Sequence, residues 1–103
     1  MATALAPFDA PAMTVLFSDL PGTAYAVKRA FSVDVSQDEA GHFIASEPRT
    51  GVFHYADRVA AAVEGFIGAF VNQYEFLVSK EANLSPSMKE ELEQFRHLIA
   101  PRA

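Results

Sequence analysis

The residues with the most chemistry to offer lie in the middle of the chain: Asp34, His42, Glu47 and His54, with Glu64 further on. If His42 and His54 shared a face of neighbouring strands, Asp34 or Glu47 could complete a metal site, because imidazole and carboxylate are common transition-metal ligands. Their spacing matches no recognised ligand motif, so the two histidines read as ordinary strand residues and no metal or cofactor is expected. The chain contains no cysteine, which removes thiolate metal sites, cysteine nucleophiles and disulfides together. Ser18, Ser32 and Ser85 lack the surroundings of a nucleophile elbow. Gly65-Phe66-Ile67-Gly68 sits inside a helical period and has no lysine, so it is a packing feature and not a phosphate loop.

These residues must be positioned by a single small core. The 103 residues are 50% hydrophobic and 20% charged, and the nine phenylalanines supply most of the bulk that such a core can bury. A net charge of −5 with scattered lysines and arginines carries no footprint for nucleic acid and suits a basic protein partner better. Residues 1–20 lack the basic start of a secretory signal, and no stretch approaches the ~20 apolar residues of a membrane span. With no cysteine to oxidise, a reducing cytoplasm is the expected compartment.

Along the chain, residues 1–12 read as a flexible tail and 13–103 as one domain. Met13 to Phe17 is a short apolar run suited to an edge strand, ended by the turn signal Ser18-Asp19-Leu20-Pro21-Gly22. Thr23 to Ala30 suits a helix by its alanines and a strand by Tyr25 and Val27. Phe31, Val33 and Val35 then alternate with Ser32, Asp34 and Ser36, the period of a half-buried strand. A polar loop, Gln37 to Gly41, turns the chain back into a strand over His42 to Glu47. Pro48 to Gly51 turns it again into a third strand over Val52 to Tyr55. Asp57 is placed to cap a long helix. Its apolar stripe is Val59, Val63, Phe66, Ile67, Phe70, Tyr74, Leu77 and Val78. Ser85-Pro86 opens a second helix with the stripe Met88, Leu92, Phe95 and Ile99, stopped by Pro101. The fold class expected is α+β: a three- or four-stranded antiparallel meander, then a long helix and a C-terminal helix forming a helical hairpin.

Gly41, Phe43, Ala45 and Pro48 around the second strand, Asp57 as cap and Ala60 to Ala62 at the helix start give residues 31–78 a pattern that resembles HicB-like antitoxins. The resemblance implies a shared fold core and a role in neutralising a small basic ribonuclease by covering its active surface. The chain departs from the family at Tyr55 and Val59-Ala60, and it ends in a second amphipathic helix where many members carry a DNA-binding module. Nucleic-acid binding is therefore not expected. The HicB-like fold also resembles a fragment of a ribonuclease-H-like fold, which would make Asp34, Glu47 and Glu64 an acidic group, but likeness of fold licenses no activity. They read instead as a solvated strand face and a helix surface.

The long helix carries more apolar bulk than a three-stranded sheet needs. Phe66, Phe70, Tyr74, Phe76 and Leu77 are therefore the expected contact residues for a homodimer, with Phe76 off the main stripe. Asp38 and Glu39 at the strand turn, with the glutamates of the helical hairpin, are expected to steer a basic partner. The function expected is a non-catalytic protein-binding module. The alternative is a homo-oligomeric structural or adaptor protein of the same fold with no toxin.

Overall fold

A computed structural model describes residues 13–102; the expected tail over 1–12 lies outside the described residues. The alternation of Phe31, Val33 and Val35 builds the central strand β3 (Phe31–Gln37), whose odd-numbered side chains from 31 to 35 are buried. It is flanked by β1 (Met13–Phe17) on one side and by β4 (Phe43–Ser46) and then β5 (Phe53–Ala56) on the other, all antiparallel, in the order β1-β3-β4-β5. Two reversals rest on glycine: Gly41 at φ 89° and Gly51 at φ 75° take left-handed backbone that a side chain would strain.

Of the undecided segment Thr23 to Ala30, only the three residues Tyr25–Val27 form a strand. β2 (Tyr25–Val27) lies outside the main sheet and pairs with β6 (Ile99–Pro101), Val27 opposite Ile99 and Tyr25 opposite Pro101. Ile99 therefore leaves the helical stripe in which its spacing placed it, and Pro101 ends a strand instead of stopping a helix. The cause is tertiary. The Leu98 carbonyl accepts from the amides of Lys28 and Arg29, and Arg102 donates to the carbonyls of Thr23 and Leu20 and to Asp19. Such pairing satisfies backbone groups that another helical turn would have left without these partners.

Helix α1 (Val59–Ser79) lies across β4 and β5, and α2 (Pro86–Leu98) folds back on it after a 3-10 turn over Glu81–Asn83. Arg96 grips Glu81 with two bonds of 2.7 and 2.9 Å, and Gln73 donates to Glu91 at 3.0 Å, closing the hairpin. Ser85 caps α2 as its position suggests, accepting from the Met88 amide. Asp57 does not cap α1. The helix begins one residue later than that role needs, with Arg58 at the N-cap making no side-chain cap bond. The Asp57 side chain stands 90% exposed.

The core is a chain of aromatic rings between sheet and helices. Phe31 stacks on Phe70 at 5.2 Å, Phe70 meets Phe95 at 4.7 Å and Phe66 at 5.5 Å, and Phe17 closes on both Phe31 and Phe66. Each such pair contributes about 0.5–1.5 kcal/mol beyond the area it buries.

Candidate functional site

The expected contact set divides at once. Phe66, Phe70 and Leu77 are 0% exposed and Tyr74 is 7%. Helix α2 and the sheet absorb the surplus that the stripe seemed to hold, so these residues are core and not interface. Phe76 alone of the set is exposed, as its position off the stripe implies. Asp38 and Glu39 sit at the β3–β4 turn, while Glu90, Glu91 and Glu93 lie beside the Pro48–Gly51 turn at the other end of β4. The two acidic groups therefore do not form one surface. Asp38 is also engaged: its carboxylate accepts the His42 amide at 2.8 Å, and that bond holds it below the usual carboxylate range.

Nor do the chemical candidates converge. His42 reaches Asp38 at 3.5 Å and Asp57 at 3.8 Å, while His54 lies on the inner face under α1, against Gly65. A Cβ on Gly65 would overlap the His54 ring. That glycine thus admits an imidazole ring, which gives its packing role a specific partner. Among the described residues no three of His, Asp and Glu gather as a metal site would require. Asp34 accepts from Thr14 on the outer face, and Glu64 is exposed on α1. Glu47, expected on a solvated face, is 2% exposed. Its carboxylate accepts from the amides of Arg49 and Thr50 and from the Thr50 hydroxyl at 2.6–2.9 Å, so it braces the turn instead of facing water.

What the tertiary structure presents is the outer face of the sheet, which no element of the described chain covers. The strand registers align Thr14, Asp34, Ser46 and Phe53 in one row, and Ser36, Ile44 and Tyr55 in the next. Phe53 is 57% exposed and Tyr55 54%, their rings edge to face at 5.7 Å. Strand β5 is thus inverted relative to the usual pattern, with aromatics outward and His54 inward. The signal was present as Phe53 and Tyr55 alternating with His54. Read alone, it would have turned the aromatics toward the core.

Beside this pair runs a groove. Its larger part, about 760 Å³, lies between the Pro48–Gly51 turn and the face of α2 bearing Glu90, Glu91 and Glu93. A smaller part of about 340 Å³ continues from Glu91 past Gln73 and Ala69 of α1 to Phe53. The two share Thr50, Gly51 and Glu91. Carboxylates line one end, an aromatic ring stands at the other, and Arg49 is exposed on the turn between them. No family model, curated protein or solved structure matches the chain.

Proposed function

We propose that the protein is a non-catalytic protein-binding module whose partner is a basic protein, in the manner of the HicB-like antitoxins that residues 31–78 resemble. One observation carries this reading: the groove that joins the Glu90, Glu91 and Glu93 face of α2 to the exposed Phe53–Tyr55 pair. Aromatic side chains make strong anchors when a partner desolvates them, and carboxylates at the rim raise the rate of encounter with a basic surface and penalise acidic ones. No helix among the described residues is long and apolar enough to cross a membrane, and a cytoplasmic role is part of the proposal.

The test is direct. A small basic ribonuclease encoded beside this chain, assayed on RNA, should lose activity when mixed with it at equal concentration. Replacing Glu90, Glu91 and Glu93 together by Gln should slow association and weaken its salt dependence. A ribonuclease left fully active would refute the antitoxin form of the reading. The homo-oligomeric alternative is favoured by a separate observation, the unpaired edge of β5.

A further inference from the structure

Among the described residues strand β5 ends the sheet, and the hydrogen-bond alternation of an antiparallel ladder tells which of its backbone groups have no partner there. The Glu47 amide donates to the Val52 carbonyl at 2.9 Å, which makes that a bonded pair. Counting along the register, His54 and Ala56 also turn their backbone groups to β4, while those of Phe53 and Tyr55 point out from the edge. Among the described residues, the two β5 residues whose backbones face away from β4 are therefore the two whose aromatic side chains stand exposed. Natural edges are usually blunted by lysine, proline, an inward charge or a bulge, and Phe53 to Ala56 has none of the first three in its sequence.

We infer that this edge pairs with the β5 edge of a second copy, antiparallel about a two-fold axis at His54, so that the two sheets become one. This rests on the homo-oligomeric alternative above and names its interface. In that register Phe53 and Tyr55 of one copy exchange amide and carbonyl bonds with Tyr55 and Phe53 of the other. Both aromatic pairs then lie together on the outer face. Registers shifted by one residue would set outward groups against groups already bonded to β4, and so are excluded. A self-complementary patch of this kind closes as an isologous dimer instead of growing into a fibre.

Charge along the paired strands does not oppose the pairing. The chain as a whole carries −5 and would repel its copy, but Phe53–Ala56 contains no Asp, Glu, Lys or Arg. The two-fold brings the exposed Asp57 of each copy beside the Pro48–Gly51 turn of the other, where the exposed Arg49 opposes it and Glu90, Glu91 and Glu93 flank the turn, so the pairing rests on the backbone edge and the aromatic pair. Phe76 lies toward the far end of α1, beyond Ala69 and Gln73, which already overhang the start of β5; it takes no part.

The experiment is the solution mass of the full chain by sedimentation at tens of micromolar, with amide exchange at the two sheet edges. Wild type should sediment as a dimer, and the Phe53 and Tyr55 amides should exchange at least about tenfold more slowly than in dilute protein. Tyr55→Asp should run as a monomer with an unchanged circular dichroism spectrum and lose that protection, whereas Phe76→Asp should remain a dimer. A monomeric wild type overturns the inference. So does a dimer that Phe76→Asp splits, or one that protects Thr14 and Leu16 of the β1 edge in place of Phe53 and Tyr55. Loss of ribonuclease inhibition with the dimer intact would instead count against the toxin-binding role alone.

Discussion

Phe70 and Phe53 are the same side chain in opposite circumstances. The first sits between three other rings on the inner side of the sheet, and the second stands in water on the outer side with one ring beside it. The inner side is closed by two helices and finished within the chain. The outer side is closed by nothing described, so its aromatic surface is spare. Most of the apolar bulk of α1 is buried by the sheet and α2, while Phe76 and Val78 stay exposed on the helix and an aromatic pair stands exposed on β5.

The sharpest way to break this contrast is to truncate each ring. Phe70→Ala should lower the unfolding free energy by about 3–5 kcal/mol, because it leaves a cavity lined by Phe31, Phe66 and Phe95. Phe53→Ala, measured by urea denaturation below micromolar concentration, should change it by no more than about 0.5 kcal/mol. Equal losses would mean that the outer face is also part of the folded core.

A smaller effect distinguishes the two glycines of α1, three residues apart on one helix. At Gly65 a Cβ would overlap His54, whereas at Gly68 nothing lies within 4 Å. Gly65→Ala should therefore destabilise by about 1–3 kcal/mol through overpacking, and His54→Ala in the same chain should relieve most of that loss. Gly68→Ala should stabilise by up to about 1 kcal/mol through helix propensity alone. Thermal melts of the three variants decide it, and a stabilising Gly65→Ala would show that His54 does not pack against the helix.

The smallest effects are those of pH, and they compare the helical hairpin with the β2–α1 contact. The bond from Arg96 holds the Glu81 carboxyl below its ordinary range, and the bond to Glu75 pushes the Tyr25 hydroxyl up to about 12. A lowered carboxyl favours the fold above the unfolded value of about 4 and loses that contribution as pH falls through the lower folded value. A raised phenol favours the fold below about 10 and loses its contribution as pH climbs toward the folded value. Glu81→Gln should therefore flatten the acid limb of a stability profile only, and Tyr25→Phe the alkaline limb only.

Much of the architecture was legible along the chain. Alternation at Phe31, Val33 and Val35, glycines at 41 and 51, and Ser85-Pro86 ahead of an apolar stripe each act through a neighbour a few residues away, so local chemistry dictates the strand, the turns and the helix start. Other features were decided only when distant segments met. Ile99 became a strand because Tyr25 to Val27 offered a partner edge, and Glu47 went inside because the turn after it supplied donors. His54 faces inward because Gly65, on the helix above, leaves room for its ring, and that choice turns Phe53 and Tyr55 outward. A period of two shows that the sides of a strand differ. Which side is buried depends on what packs there, and for β5 that is one glycine on α1.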